Sequence, residues 1–347
     1  MWRLRPPDHG VQAVFDGGFL ARLEGQVKRA LPRWGVAPDT RLELLSVSEN
    51  ANFRATGTGT CDMVFRVHRP GYHSRDEIAS ELSWLEALRG EGVVPVPRPI
   101  GLRDGGLIAD IDDGGTPRHV VAFEFLPGRE PEAGDDLVAW FGQLGAMTAG
   151  LHQHAGAWAR PAGFRRKVWN FHTSIGRTPL WGDWRAGLGL DVAGRKVLER
   201  TAAVLEEELN RIGEGPDAFG LIHADLRLAN LLVDGPHLSL IDFDDCGFSW
   251  FLYDFAAAIS FIEHEPYVGD LQEAWIAGYR SRMPLSDARA AQLPVFIMLR
   301  RILLTAWIAS HSETPTAQAL GTAYTDGTVA LAEAFLTRQT HHVSLTA

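Results

Sequence analysis

The order of β-like and helix-like segments constrains this chain more than any other feature of its sequence. Short runs of alternating apolar residues predominate up to the Pro127-Gly128 turn. From about Asp135 onward, long segments with helical spacing of apolar residues replace them. This order predicts an α+β, bilobal chain, with a small antiparallel β-rich lobe at residues 1–127 and a larger helical lobe at residues 128–347.

The first lobe is predicted to contain two helices and five β-like runs. Ser74 is a suitable N-cap for the second helix, because a serine side chain accepts hydrogen bonds from backbone N–H groups at that position. The helices cover residues 19–34 and 74 to about 89, and the β-like runs cover residues 41–48, 53–56, 63–68, 100–111 and 118–126, with a turn at Gly105-Gly106 inside the fourth run. The second lobe is predicted to have helices at residues 136–154, 192–211, 250–263, 270–282, 286–310 and 316–338, with one β pair at 231–233 and 238–241.

The composition excludes several classes of protein. Lys and Arg total 33 against 43 Asp and Glu, and the net charge of −10 gives no general attraction for nucleic acid or anionic lipid. Cys61 and Cys246 lie far apart without a CxxC pair, which argues against a disulfide framework and a structural zinc site. No run reaches the roughly 18 uninterrupted apolar residues of a membrane span. We therefore expect a soluble, cytoplasmic protein without a nucleic-acid or membrane partner.

The most motif-like stretch is LIHADLRLAN at residues 221–230, followed by IDFD at residues 241–244. It places His223, Asp225 and Asn230 in an H-x-D-x-x-x-x-N arrangement, with Asp242 after the next predicted hairpin. This spacing matches the catalytic and metal loops of kinases. Asp225 can hold an acceptor hydroxyl in line and take its proton, while Asn230 and Asp242 offer the hard oxygen ligands that Mg²⁺ prefers.

Three other interpretations of this stretch are open to comparison. A polar turn with Asp and Asn as punctuation explains H-x-D alone, but explains the full string poorly. An EF-hand is rejected, because Cys246 and Tyr253 stand at its fifth and twelfth positions and the bidentate glutamate is missing. A metallohydrolase lacks an H-x-H or H-E-x-x-H partner for His223.

Together with LYDFA at residues 252–256, these motifs make most of the chain resemble the superfamily of aminoglycoside phosphotransferases, choline kinases and type II homoserine kinases. The resemblance implies ATP and Mg²⁺ as cofactors. It also implies that Asp225 is the catalytic base, that Asn230 and Asp242 are the magnesium ligands, and that His223 stabilises the loop. Asp254 would brace the same loop.

The first lobe departs from the pattern of this superfamily, because Arg66 stands where a strand lysine is expected. Strand alternation puts Arg66 on the face opposite Phe65 and Val67. On the next helix Glu81 lies within an apolar stripe, where an unpaired carboxylate is costly, so Arg66 is its expected partner. The planar fork of arginine is not equivalent to a lysine ammonium, which leaves open a pseudokinase that binds nucleotide without transferring phosphate.

Two further segments resemble nucleotide-contacting parts of the superfamily. The turn at residues 48–52 takes the place of a nucleotide-covering loop, although it lacks the pattern G-x-G-x-x-G. The segment FEFLPG, which includes Glu124 and Phe125, resembles the hinge that meets an adenine ring. A strand that ends in a Pro-Gly turn is an equally good interpretation of it. Asp244 and Asp245 are open as metal ligands, substrate contacts or solvated charges.

The expected activity is phosphorylation of a hydroxyl on a small, amine-bearing molecule. An aromatic and basic stretch between the hinge and the catalytic loop suits an acceptor pocket, although packing is the better interpretation for most of its tryptophans. It contains Trp158, Phe164, Arg165, Arg166, Trp169, Trp181 and Trp184. A Ser/Thr protein kinase with a protein substrate is the alternative activity.

Overall fold

The computed structural model describes residues 17–47, 50–57, 62–132, 134–312 and 314–346. The chain divides into two compact units that are discontinuous in sequence. The first unit comprises the described residues up to Pro131, together with Trp158–Arg166 and Ala229–Asp244. The second unit comprises Glu132–Ala157, Lys167–Leu228 and the described residues from Asp245 onward. The predicted single boundary at residue 127 stays a prediction.

The elements are numbered here in chain order. The strands are β1 Leu42–Val47, β2 Ala51–Ala55, β3 Met63–Val67, β4 Pro99–Ile100, β5 Ile108–Asp113, β6 Thr116–Glu124, β7 Phe219–Ile222, β8 Leu231–Asp234, β9 His237–Leu240 and β10 Gly247–Trp250. The helices are α1 Gly17–Ala30, α2 Arg75–Gly90, α3 Leu137–Ala157, α4 Phe171–Ser174, α5 Val192–Ile212, α6 Tyr253–Ala258, α7 Val268–Arg280, α8 Asp287–Ala290, α9 Leu293–Ser310 and α10 Pro315–Thr346.

The first unit is built on an antiparallel sheet with the order β1-β2-β3-β6-β4, in which β5 also pairs with β6. One face packs its apolar side chains, among them Phe53 and Phe65, against α1 and the 3₁₀ turn Leu31–Trp34. Helix α2 begins with a capping box, in which Ser74 accepts the N–H of Glu77 and the Glu77 carboxylate accepts the N–H of Ser74. The sheet holds β3 rigidly at its centre, which fixes the side chains that β3 carries.

The second unit is mainly helical, and α3 and α7 approach each other closely. A Cβ atom at Gly145 would lie 2.1 Å from the carbonyl oxygen of Trp275, and one at Gly278 would lie 1.9 Å from that of Gly142. Glycine is therefore required at this crossing, because no other residue lets the two backbones come so close. The crossing sets the spacing between His152 on α3 and Tyr279 on α7.

One prediction of secondary structure is wrong. The helix predicted at residues 250–263 is limited to α6, because Trp250 ends strand β10, which pairs with the unpredicted strand β7. The turn predicted at Gly105-Gly106 is confirmed, and it separates β4 from β5. Short apolar runs fit both the period of a helix and that of a strand, so pairing with a distant strand decides which of the two forms.

Within the described residues, Asp287–Ser310 is the one segment long and apolar enough to cross a membrane by length and composition. Of its most apolar window, 78% is buried inside the protein, as in a core helix. Arg300 and Arg301 interrupt its apolar run, and both are buried.

Candidate active site

Arg66 on β3 stands at the centre of a buried charge cluster in the first unit. Its Nη1 donates to Glu81 Oε1 at 2.7 Å and to Asp244 Oδ1 at 3.4 Å, and its Nη2 donates to Asp242 Oδ1 at 3.1 Å. The Arg66 side chain is 6% exposed and that of Glu81 is fully buried. Burial by itself would lower the pKa of Arg66, but the carboxylates of Glu81, Asp242 and Asp244 raise it above its ordinary value. The guanidinium is therefore permanently charged, and it ties α2 to the loop after β9.

Asp242 and Asn230 lie on either side of the β8–β9 hairpin. The hairpin pairs Leu231 with Leu240, and the N–H of Ile241 donates to the Asn230 carbonyl at 3.0 Å. The two candidate metal ligands are therefore held at the same end of one hairpin. Asp242 has a positive φ of 62°, a conformation that aspartate tolerates better than most residues.

The donor set at this hairpin fits a magnesium ion. A carboxylate and an amide oxygen are hard ligands, and Mg²⁺ is usually held by one or two such groups together with waters and substrate phosphates. Within the part of the chain that the structure describes, no group of three or more His, Cys, Asp or Glu side chains could hold a metal ion. A metal ion at Asp242 would therefore need oxygen atoms from phosphate or water as well.

A cleft of about 400 Å³, open to solvent, adjoins the cluster in the first unit. Its lining residues are Asn52, Val64, Arg66, Pro97, Phe123, Glu124, Leu126, Ile241 and Asp242. The Arg66 guanidinium lies 4.9 Å from the centre of the Phe123 ring, and this contact limits its movement further. The cleft combines apolar walls with a cation and a carboxylate, which is the composition of a small-molecule site.

The two predicted hinge residues occupy different environments. Glu124 lines the cleft, and its Oε2 pairs with Arg89 at 3.0 Å. The Phe125 ring lies beneath the Arg54 guanidinium, 3.8 Å from it, and is not part of the lining. Both backbone N–H groups already donate to carbonyl groups, that of Glu124 to Arg98 and that of Phe125 to Asp62. An adenine ring could therefore not use either N–H group without breaking an existing hydrogen bond.

Asp244 connects the turn between β1 and β2 with the charge cluster. The Asn50 amide donates to Asp244 Oδ2 at 2.8 Å and accepts the N–H of Arg69 at 3.2 Å. His68 and His73 each place a ring nitrogen 3.4 Å from the same carboxylate. Burial raises the pKa of Asp244, but these histidines and Arg66 bring it well below the ordinary value. Ser48 and Glu49 of the predicted nucleotide-covering loop lie outside the described residues.

In the second unit, Asp254 holds the backbone of the segment that follows β7. Its carboxylate accepts the N–H of Ala224 at 2.7 Å and that of His223 at 3.3 Å. His152 Nε2 lies 3.0 Å from the same carboxylate, and its Nδ1 lies 2.9 Å from the Tyr279 hydroxyl. Ala224 has a φ of +67°, a strained conformation for alanine, so the segment needs this support.

His223 and Asp225 lie together in this segment. His223 is fully buried, and its Nδ1 accepts the Asp225 N–H at 3.3 Å, a contact suited to a stabilising role. Asp225 Oδ1 accepts from Arg300 Nη2 at 2.5 Å, and its Oδ2 accepts from Arg227 Nε at 3.3 Å. Burial raises the pKa of Asp225, but Arg300, followed by Arg227 and His223, brings it below the ordinary value. Asp225 is therefore a carboxylate at neutral pH.

Arg300 is the site residue that sequence reasoning missed. It comes from α9, 75 residues beyond Asp225, and no local motif connects the two. One signal was present, since a buried arginine in an apolar helix requires an acidic partner. The sequence does not show which carboxylate that partner is.

The aromatic and basic stretch mainly supports packing. Trp169, Trp181 and Trp184 are buried, and Trp169 Nε1 donates to the Asp245 carbonyl at 2.9 Å. In the first unit, Arg166 donates to the carbonyl of Glu77 at 2.8 Å. Arg166 also donates to the Asp244 carbonyl. Arg166 and Trp169 therefore each support the backbone at one of two consecutive residues in the loop that follows β9.

Comparison with known proteins agrees with this arrangement. A family model described as the phosphotransferase enzyme family matches residues 41–285. A solved structure of a microcompartment-associated aminopropanol kinase is 45% identical, with a TM-score of 0.83 and coverage of 90% of this chain and 97% of that one. Homoserine kinase from Gluconacetobacter diazotrophicus is 31% identical over 272 residues, which are 74% of this chain and 77% of that protein. Because the family model matches more than half of this chain, the chain belongs to the phosphotransferase enzyme family.

The predictions of superfamily, fold class and reaction class are confirmed. The chain is a member of a phosphotransferase family, and its α+β fold is protein-kinase-like. An amicoumacin kinase in complex with AMP-PNP, Ca²⁺ and Ami shares the fold, with a TM-score of 0.72 and 22% identity over 91% of this chain and 93% of that one. The roles assigned to individual residues stay predictions.

Proposed function

We propose that this chain transfers the γ-phosphoryl group of ATP, with Mg²⁺, to the hydroxyl of a small amino alcohol. Phosphoryl transfer from ATP is supported by the Arg66 cluster, in which one cation pairs with both Glu81 and Asp242 at the border of a cleft. The amino alcohol is suggested by the relatives, because aminopropanol and homoserine both carry a hydroxyl and an amine.

In the first unit, Arg66 would bind nucleotide phosphate and Glu81 would hold its guanidinium in place. Asp242 and Asn230 would hold the magnesium ion, which offsets negative charge on the phosphate oxygens when bound. Because Glu81 occupies Nη1, the fork of Arg66 cannot turn freely in the cleft. We expect arginine to serve in place of lysine here, since its geometry is fixed by three carboxylates.

In the second unit, Asp225 would orient the acceptor hydroxyl and receive its proton. His223 and Asp254 would keep the backbone around Asp225 in its strained conformation. Phosphoryl transfer depends mainly on such positioning, because the reaction needs little covalent assistance from the protein.

The test compares acceptors that differ only in the amine. ADP release is measured with ATP and Mg²⁺ on 1-amino-2-propanol, with 1,2-propanediol as the matched control that keeps the secondary hydroxyl. We expect a kcat/KM at least about tenfold higher for the amino alcohol, equivalent to about 1.4 kcal/mol of recognition. Homoserine, ethanolamine and choline then define the size and charge limits of the acceptor.

Equal turnover of the diol would contradict the amine preference but keep the kinase. Phosphate on the protein itself or on a basic protein, without turnover of any amino alcohol, would favour a protein kinase. ATP binding without transfer to any acceptor would indicate a pseudokinase.

A further inference from the structure

We propose that Arg300 is a positioning residue for phosphoryl transfer: it fixes the carboxylate of Asp225 through Oδ1, so that Oδ2 is the atom that meets the acceptor hydroxyl. This inference rests on the proposed function, in which Asp225 orients the acceptor. The two oxygens of Asp225 are unequal, because Oδ1 is 2.5 Å from Arg300 whereas Oδ2 has the longer, 3.3 Å contact with Arg227.

Arg300 is itself held on every side of its guanidinium. Its Nε donates to Ser260 Oγ at 3.1 Å, and its Nη1 donates to the Tyr253 hydroxyl at 3.3 Å and to the Ala224 carbonyl at 3.4 Å. The guanidinium also lies 5.3 Å from the centre of the Trp181 ring. A side chain with each nitrogen engaged has one orientation, so it can impose one rotamer on Asp225.

The same arginine supports the strained backbone. The N–H of Ala224 is held by Asp254, and its carbonyl is held by Arg300. Both peptide groups beside the positive-φ alanine are thus fixed by charged, fully or almost fully buried side chains. The position of Asp225 follows from these two contacts together.

Charge balance is the second contribution of Arg300. Asp225 faces Arg300 from α9, Arg227 and His223 from its own segment and Tyr253 from α6, while Asp245 and Asp254 add negative charge nearby. The pKa of Asp225 is below its ordinary value because Arg300, with Arg227, outweighs the effect of burial. Asp225 is therefore ionised and weakly basic, which suits a group that orients a hydroxyl and takes its proton late.

The reaction step balances with these groups alone and the two substrates. The acceptor oxygen forms a bond to the γ-phosphorus, the bond from that phosphorus to the β-bridging oxygen breaks, and its electron pair stays on ADP. The acceptor O–H bond breaks and its proton passes to Asp225 Oδ2. Arg300 touches neither substrate in this step and acts only through Asp225.

Arg301, the next residue of α9, provides a matched control. It is also a buried arginine, and it pairs with Glu263 Oε2 at 2.6 Å, Thr328 Oγ1 at 3.0 Å and the Tyr324 carbonyl at 3.2 Å. Its pair is of the same kind and burial, but its partners belong to α10 and the segment after α6. Loss of a buried ion pair alone should therefore affect both arginines alike.

The experiment measures kcat/KM for the acceptor against pH in the full-length wild type, Arg300→Met, Arg300→Lys and Arg301→Met. We expect Arg300→Met to lower kcat/KM about 100-fold, because Asp225 loses its fixed position. The acid limb of its profile should move to higher pH, because burial then acts on Asp225 with less opposing charge. Arg300→Lys keeps the charge and should shift the limb less. Arg301→Met should keep the wild-type profile.

Two results would overturn the inference. If Arg300→Met and Arg301→Met lose activity equally and keep the wild-type pH profile, Arg300 only stabilises the fold. If Arg300→Met does not fold, Arg300→Ala is measured instead, with methylguanidinium added to replace the missing side chain. If methylguanidinium restores no activity, and Arg300→Lys has the activity and pH profile of the wild type, the conclusion is the same. An Asp225→Asn variant with full activity would instead sink the proposed role of Asp225, and the two failures are thereby distinguished.

Discussion

The two units each contain a buried arginine beside a candidate functional carboxylate, but the charge balance around them is opposite. Arg66 in the first unit contacts three carboxylates, so the cluster keeps a surplus of negative charge. Arg300 in the second unit contacts one carboxylate, that of Asp225, which a second arginine also contacts. The same residue type therefore serves two different electrostatic purposes.

The two charge balances suit different ligands. A cluster with two surplus negative charges is suited to a divalent cation, which agrees with the prediction of Asp242 as a magnesium ligand. Two arginines around the Asp225 carboxylate keep it ionised, which suits a group that orients a hydroxyl. The first unit is thus suited to metal and nucleotide, and the second to the reacting hydroxyl.

The largest expected effect separates these two purposes. Asp225→Asn should lower kcat by about 10³-fold, because the amide cannot take the acceptor proton, and should leave ATP affinity unchanged.

Asp242→Ala should instead abolish the Mg²⁺-dependent rise in unfolding temperature that ATP produces. Both variants are tested by ADP release and by thermal unfolding with ATP, with and without Mg²⁺.

The exposed Asp104→Ala variant is the control for both measurements, since the Asp104 side chain is 65% exposed and pairs with Arg33, whose side chain is 40% exposed. A loss of nucleotide stabilisation in Asp225→Asn equal to that in Asp242→Ala would break the division between the units.

The second prediction compares the stability that each arginine provides. Arg66→Met leaves Glu81 and Asp244 buried without their cation, and should lower the free energy of unfolding by about 3–5 kcal/mol. Arg300→Met leaves one carboxylate, so its loss should be smaller. Guanidinium-induced unfolding at pH 7 measures both.

Arg75→Met is the control for Arg66, because Arg75 and its partner Asp110 are 50% and 59% exposed. An exposed ion pair contributes about 0–1 kcal/mol. A loss in Arg66→Met no larger than that in Arg75→Met would show that the cluster is not a tightly coupled buried network.

The two arginines also differ in how far sequence could predict them. The contact of Arg66 with Glu81 follows from strand alternation and from a carboxylate within an apolar helix stripe, both of which are local patterns. Arg300 and its contact with Asp225 depend on tertiary packing, as do strands β7 and β10, which pair across an interval that local periodicity does not describe. The same limit produced the wrong helix at residues 250–263.

The smallest effect concerns His68, which lies beside Asp244 in the Arg66 cluster. Burial is the main cause that lowers the pKa of His68, to about 3, although Asp244 opposes it. Because the unfolded chain binds a proton near the ordinary pKa of 6.5 and the folded chain does not, stability falls as the pH decreases from about 7 towards 3. Between pH 7 and pH 5 this histidine should lower the free energy of unfolding by about 2 kcal/mol.

His68→Gln removes that titration, so its unfolding free energy should decrease less over the same interval than that of the wild type. Between pH 7 and pH 8 the two proteins should differ by a constant amount. An unchanged slope from pH 7 to pH 5 would mean that His68 is protonated in the folded state, and the surplus negative charge of the first unit would then be smaller by one.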